Sequence, residues 1–226
     1  MPLGETLSTT ANIEQLPAAR EMKRAEKCVR TGKLSEAIAS LDRAMQLGAD
    51  RYTCYLRQAR LYQEINRLPD AVSAAEHAIA ENPEKISARE AIIALHLEAR
   101  DYMNAANQSR ELIKIAPRHV PARDALGAAY MAMGDIPAAI RVASELVRLD
   151  PSNASHRYHK AHLCQHLGDI RTAVEEFERV IDLSLDESLV EGAREQLDAL
   201  DTFHIHQIIG LCCFDLTFLN NLRIDP

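Results

Sequence analysis

An interval of 34 residues recurs through most of this 226-residue chain. Alanine occupies one position of the interval in five successive copies: Ala37, Ala71, Ala105, Ala139 and Ala173. A second position is apolar in every copy: Met45, Ile79, Ile113, Val147 and Ile181. A repeat of this length predicts a stack of similar units, because one unit alone cannot bury its apolar face.

Each unit has the pattern of two helices, shown most clearly by the fourth. Val120–Met133 and Ile136–Leu149 are both amphipathic, and Gly134 and Asp135 separate them. Pro151 ends the second helix, since the residue before a proline is disfavoured in the α conformation. The repeated alanines allow the two helices of a hairpin to approach closely.

Composition narrows the class of protein further. The formal charge of −7 and pI near 5.7 argue against nucleic acid as the main partner, because phosphate binding needs clustered Lys and Arg. Met1–Thr10 lacks the pattern of a secretory signal, and the longest apolar run, near Ile208–Phe214, is too short for a membrane span. Five scattered cysteines indicate reduced thiols, so we expect a cytoplasmic, non-membrane protein.

These features resemble the tetratricopeptide repeat family, whose 34-residue pattern is W-x₂-L-G-x₂-Y…A-x₃-F…P. The fourth unit matches at Leu126, Gly127, Tyr130, Ala139 and Pro151, and the fifth at Gly168, Ala173 and Phe177. The family's Trp is missing, and its position holds Glu21, Tyr55, Arg89, Arg123 and Arg157. Proline is also missing from the ends of the first and fifth units, where Ala49 and Leu185 stand.

The resemblance implies an all-α fold, a right-handed α-solenoid of five units at residues 18–51, 52–85, 86–119, 120–153 and 154–187. An N-terminal extension at 1–17, expected to be frayed, precedes them, and a capping helix with an apolar helical tail follows at 188–226. Within that last segment we expect helices at Ser188–Leu200 and Phe203–Phe214, then a short one from Asp215 to about Leu222.

In this family the first helix of each hairpin lines a groove that holds a partner's peptide. The groove positions assigned on that basis are Met22, Glu26, Leu56, Arg60, Gln63, Glu90, Leu97, Asp124, Met131, Tyr158, His162 and His166, with Arg30, Ala94 and Ala128 beside them. Members that clamp the carboxylate tail of chaperones need Lys, Asn and Arg at set places, where this chain has Met22, Glu26, Arg57, Ser87 and Ala91. Chaperone-tail binding is therefore not expected.

Three further features leave alternatives open. Arg89, Arg123 and Arg157 either form a track for an acidic peptide or cover apolar seams while pairing with acids such as Glu90 and Asp124. His156, His159, His162 and His166 form either a solvated polar face, a pH-sensitive end of the groove or part of a metal site. The tail residues Phe203, Ile208, Leu211, Phe214 and Phe218 either cap the last hairpin or join another protein or a second copy through 203–222.

No motif for catalysis, phosphate binding or a cofactor is present, and packing already explains every candidate nucleophile. The function expected is that of a non-catalytic adaptor or scaffold that holds a protein segment in the groove, with neither metal nor cofactor. A metal-binding or pH-responsive histidine helix and a self-assembling structural element remain the alternatives.

Overall fold

The computed structural model describes the backbone of residues 17–214 and the side chains of residues 17–203. That part of the chain contains eleven α-helices and no strand, which confirms the all-α prediction. The helices are α1 (Pro17–Arg30), α2 (Leu34–Gln46), α3 (Arg51–Glu64), α4 (Leu68–Glu81), α5 (Ile86–Glu98), α6 (Tyr102–Ile115), α7 (Val120–Ala132), α8 (Ile136–Leu149), α9 (Ala154–Leu167), α10 (Ile170–Leu183) and α11 (Glu187–Phe214).

Contacts divide the chain into two compact units, residues 1–133 and 134–226. In the first unit, α1 pairs with α2, α3 with α4 and α5 with α6, and each hairpin packs on the next helix along the chain. The first helices of successive hairpins also touch, α3 with α5 and α5 with α7. In the second unit α9 pairs with α10, α8 packs on α9, and α11 packs on both α10 and α9.

The repeated alanines all lie on the second helices of their hairpins and are fully buried: Ala37, Ala71, Ala105, Ala139 and Ala173. In three hairpins the first helix contributes a second small residue to the same apolar cluster, Ala25 with Ala37, Ala59 with Ala71 and Ala161 with Ala173. A larger side chain at these sites would force the paired helices apart.

One position of the repeat ends the first helix of every hairpin in a left-handed backbone conformation. Its φ angles are 72° at Gly32, 57° at Asn66, 58° at Arg100, 77° at Gly134 and 84° at Gly168. Glycine adopts this conformation without strain, whereas a β-carbon crowds the neighbouring carbonyl oxygen. The third hairpin is therefore strained at Arg100.

We expect Arg100→Gly to raise the free energy of unfolding by about 0.5–1 kcal/mol, because relief of the αL strain exceeds the entropy that glycine adds to the unfolded chain. Arg110→Gly, within the exposed face of α6, is the matched control and should lower stability by about 0.5–1 kcal/mol. Urea unfolding followed by circular dichroism measures both. A fall in stability for Arg100→Gly would show that the arginine side chain outweighs the strain.

The start of the second helix is fixed by a side-chain cap in three hairpins. Asp101, Asp135 and Asp169 each accept a hydrogen bond from the backbone N–H three residues later. The equivalent residues of the first two hairpins, Lys33 and Arg67, make no such bond. Aspartate here satisfies a backbone donor that would otherwise lack a partner within the helix.

The C-terminal segment differs from the sequence prediction. A single helix, α11, runs through Glu187–Phe214, where two helices were expected at Ser188–Leu200 and Phe203–Phe214. Neither glycine nor proline separates them, and the Thr202 hydroxyl donates to the Asp198 carbonyl (2.8 Å), so Asp201 and Thr202 continue the helix. Of the extension expected at 1–17, Pro17 is helical and begins α1, and residues 1–16 lie outside the described residues, as does the expected helix from Asp215. Among the helices described, none combines the length and apolarity needed to cross a bilayer.

Candidate functional site

A cleft with a volume of about 530 Å³ lies between α1 and α3, the first helices of the first two hairpins. We call it the first cleft. Its apolar lining consists of Ala25, Val29, Leu41 and Leu61. Its charged lining consists of Glu26, Arg30, Arg57, Arg60 and Glu64. The cleft thus combines a small apolar surface with a charged rim of both signs.

Only one ion pair joins the charged groups of the first cleft. The Arg57 guanidinium donates to the Glu26 carboxylate across the two helices at 3.0 Å. Within residues 17–203, Arg30, Arg60 and Glu64 have neither an ion pair nor a side-chain hydrogen bond. Two guanidinium groups and one carboxylate at the rim therefore have no partner among the side chains that the structure describes.

A second cleft, of about 200 Å³, lies between α5 and α7. Its lining is mainly apolar: Ile93, Ala94, Leu97, Leu112, Pro121, Ala122 and Ala125. Glu90 and His119 stand beside these residues, with 3.0 Å between the Glu90 carboxylate and His119 Nε2. His119 Nδ1 accepts a hydrogen bond from the Ala122 backbone N–H (3.1 Å) and caps α7. This cap assigns the proton of the neutral ring to Nε2, which donates to Glu90.

The two clefts are separated by a polar contact between α3 and α5. The Gln63 amide donates to the Glu98 carboxylate at 2.5 Å, in an exposed position. Both clefts therefore lie on the first helices of the hairpins of the first unit, with this bridge between them.

The predicted groove residues divide into three groups. Glu26 and Arg60 line the first cleft, and Glu90 and Leu97 line the second, as do the neighbouring Arg30 and Ala94. Three predicted groove residues make contacts elsewhere. The Met22 sulfur lies 3.6 Å from the Cys54 sulfur, and Gln63 is hydrogen-bonded to Glu98. Leu56 packs against the cluster of Tyr52, Ala78 and Ala88. Asp124 and Met131 are exposed on α7 and line neither cleft.

The sequence analysis did not assign Val29, Leu61 and Glu64 to the groove, and it named Arg57 only at a position of the chaperone-tail clamp. On α1 the cleft residues are 26, 29 and 30, and on α3 they are 57, 60, 61 and 64. These are the i, i+3, i+4 and i+7 spacings of one helical face. Following that face along each helix, rather than single repeat positions, would have found them.

In the second unit, two predicted groove residues belong to a ring cluster. Tyr158, His162 and Phe177 make edge-to-face contacts with centroid separations of 4.6–5.6 Å. Phe177 is fully buried, and the other two rings are half-buried. The Tyr158 hydroxyl also approaches Gly192 of α11. If residue 192 had a β-carbon, that carbon would lie only 2.9 Å from the hydroxyl oxygen. The cluster therefore joins α9, α10 and α11.

The four histidines of α9 occupy different environments. His156 is buried, His162 is half-buried in the ring cluster, and His159 and His166 are exposed. Burial lowers the pKa of His162, and the neighbouring His166 and His159 lower it further, so its imidazole is neutral at pH 7. Among the side chains described, no three metal-ligating groups come together; those of His204 and His206 lie outside that set.

The arginines at the family's Trp position are involved in packing. Arg123 and Arg157 are buried, and Arg89 is half-buried. Arg157 donates twice to the Pro151 carbonyl (3.1 and 2.9 Å), and Arg89 donates to the equivalent Pro83 carbonyl (3.2 Å). The interpretation of these residues as an exposed track for an acidic peptide is therefore wrong. Arg89 and Arg157 instead tie the loop before a hairpin to its first helix.

The three cysteines within the described side chains, Cys28, Cys54 and Cys164, are free thiols and buried. Burial raises the pKa of Cys54 and of Cys164, which keeps both protonated at neutral pH. A protonated, enclosed thiol is a poor nucleophile. These residues contribute to packing.

Paired helices, small residues at a 34-residue interval and contacts between first helices define a helical-hairpin repeat protein. The family model described as "Tetratricopeptide repeat" matches residues 125–188, which confirms the resemblance seen in the sequence. Comparison with curated protein sequences finds no significant match.

Solved structures share the fold. The structure of MamA from Desulfovibrio magneticus RS-1, residues 41 to the end, has a TM-score of 0.61 at 21% identity, covering 74% of this chain and 94% of that one. YrrB, described as a TPR protein with an unusual peptide-binding site, has a TM-score of 0.63 at 17% identity, covering 84% and 98%. A further structure of MamA gives a TM-score of 0.63 at 16% identity, covering 73% and 90%.

Proposed function

We propose that this chain is a non-catalytic adaptor or scaffold that binds a peptide segment of a partner protein on the first helices of its hairpins. The observation that carries the proposal is the placement of both clefts, between α1 and α3 and between α5 and α7, on that same set of helices. The peptide-binding site named for YrrB, a protein of the same fold, adds support.

Binding on such a face depends on preorganisation. The helices that line each cleft are already held by their hairpins, since Ala25 and Leu41 of the first cleft belong to a packed core cluster. Only the peptide would be ordered on binding, which lowers the entropic cost. We expect an affinity of about 1 μM, which corresponds to about −8 kcal/mol.

The experiment is affinity capture with a variant that places a charge in each cleft. Val29→Asp/Ala94→Asp changes two exposed lining residues, so the core is left intact. Ala80→Asp/Met103→Asp is the control, with the same type of change at exposed sites on the second helices α4 and α6. A true partner should be retained by wild type and control and lost from the cleft variant, because a desolvated carboxylate disfavours apolar contact.

The captured partner is then reduced to a synthetic segment. When this segment binds the purified chain, it should slow amide hydrogen exchange in α1, α3, α5 and α7. Equal capture by all three proteins, or protection confined to other helices, would contradict the proposed function.

A further inference from the structure

The first cleft has unused positive charge. Arg30 on α1 and Arg60 on α3 line this cleft together with the apolar Val29, Leu41 and Leu61. Both guanidinium groups are exposed, and residues 17–203 supply no carboxylate to either of them. We propose that this cleft takes an acidic peptide segment in which carboxylates flank one or two branched apolar residues. The inference rests on the proposed function and gives the chemistry of its ligand.

Charge complementarity selects this ligand over others. The cleft has three arginines against two glutamates, in a chain whose formal charge is −7. Glu26 is already paired with Arg57, so Glu64 alone opposes the two open guanidinium groups. A guanidinium binds a carboxylate through two parallel hydrogen bonds. The cleft is thus locally cationic although the chain as a whole is acidic.

The apolar lining adds a second requirement. A volume of about 530 Å³ falls within the range of sites that enclose a small ligand or a few side chains. Val29 is 41% exposed, so part of the lining is in contact with water when the cleft is empty. A leucine-type side chain would cover it, and carboxylates on either side would reach Arg30 and Arg60.

The second cleft requires no acidic ligand. Its two polar lining side chains, Glu90 and His119, are already hydrogen-bonded to each other. The remainder of the lining is apolar. The preference for carboxylates is therefore confined to the end of the face formed by α1 and α3.

The test uses the full chain and a fluorescein-labelled peptide, Glu-Glu-Leu-Leu-Glu-Glu, with fluorescence anisotropy as the readout. The matched peptides are Gln-Gln-Leu-Leu-Gln-Gln, Glu-Glu-Ser-Ser-Glu-Glu and Lys-Lys-Leu-Leu-Lys-Lys. We expect the first to bind about tenfold more tightly than each of the others, since one tenfold step corresponds to about 1.4 kcal/mol. Equal binding of the Glu and Gln peptides would overturn the proposal.

Charge reversal in the protein gives the complementary measurement. Arg30→Glu/Arg60→Glu should weaken binding of the Glu peptide about tenfold and strengthen that of the Lys peptide, as expected when the sign of the site is inverted. Arg20→Glu/Arg118→Glu changes the net charge equally at exposed sites that do not line the cleft, and should stay within about twofold of wild type. A loss of similar size in this control would show that net charge, and not the cleft, governs binding.

Two other occupants of the first cleft are tested by peptide competition and by sedimentation. Unlabelled peptides of residues 1–16 and 215–226 are added as competitors, and tighter binding by either would assign the cleft to the chain itself and overturn the proposal. A dimer in sedimentation that Arg30→Glu/Arg60→Glu dissociates would assign it to a second copy, with the same consequence. If the Glu peptide does not bind while a captured partner segment still slows amide hydrogen exchange in α1 and α3, the acidic-peptide inference is wrong and the proposed function stands.

Discussion

Glu176→Ala is expected to lower the free energy of unfolding by about 3–5 kcal/mol. Glu176 on α10 is buried, and its carboxylate accepts hydrogen bonds from Arg157 (2.8 Å) and Lys160 (3.0 Å) of α9. Removal of the carboxylate leaves the buried Arg157 guanidinium without an anionic partner, and that uncompensated charge is the main source of the loss.

The adjacent residue on α10 provides the control. Glu175 is exposed and pairs with Arg171 at 3.1 Å on the helix surface, so Glu175→Ala should cost no more than about 0.5 kcal/mol. Urea unfolding at pH 7, followed by circular dichroism, measures both variants. Equal, small losses of stability in the two variants would show that the buried ion pairing of Glu176 with Arg157 and Lys160 contributes little.

The same carboxylate makes stability depend on pH. Burial by itself raises the pKa of Glu176, but hydrogen bonds from Lys160 and Arg157 outweigh it and hold the pKa below its usual value. Its contribution is therefore fully present above the pKa of the unfolded chain and is lost as the pH falls through the lower pKa of the folded state. The stability difference between wild type and Glu176→Gln should shrink on acidification below pH 4.5.

Phe177→Ala is the second change with a large expected effect, a loss of about 3–5 kcal/mol in the free energy of unfolding. Phe177 is fully buried, and its ring contacts Tyr158 at 5.6 Å and His162 at 5.3 Å between centroids. Truncation leaves a cavity at the point where α9 and α10 meet, and it removes two edge-to-face contacts.

Leu183→Ala, at the exposed end of the same helix, is the control and should cost less than about 1 kcal/mol. Thermal unfolding by calorimetry gives the two values. A Phe177→Ala protein as stable as the control would mean that neighbouring side chains collapse into the space.

The repeat could be predicted from the sequence because its cause is local. Paired helices need a small residue where they touch, and Ala37 and its four equivalents stand at one interval and are all buried. The turn position was less evident, because Asn66 and Arg100 adopt the same positive φ as the glycines. In the turns at Asn66 and Arg100, as at Gly32 and Gly168, the next backbone N–H donates to the carbonyl five residues before it, and this bond fixes the backbone whichever residue is present.

The candidate site was predicted less completely. Of the first-cleft lining, repeat positions predicted Glu26 and Arg60 as groove residues, but not Val29 and Glu64, because a cleft follows the faces of two helices and not one position of a repeat. Tyr158 occupies a groove position in the family, yet in this chain its ring packs towards Phe177 and its hydroxyl approaches Gly192 of α11. Contacts with α11, which lies outside the repeats, could not be inferred from the periodicity.

The hydrogen bond between Gln63 and Glu98 has a consequence for the length of any ligand. It divides the proposed binding face into two compartments whose centres are two hairpin steps apart. Adjacent helices pack about 8–10 Å apart, so the compartments are separated by about 16–20 Å. An extended chain advances about 3.3 Å per residue, so one segment that fills both compartments must carry its two anchoring side chains about five or six residues apart. The distance between the two compartments therefore sets the spacing that a ligand needs between its two anchoring side chains. A ligand with the correct side chains at the wrong spacing would occupy only one compartment.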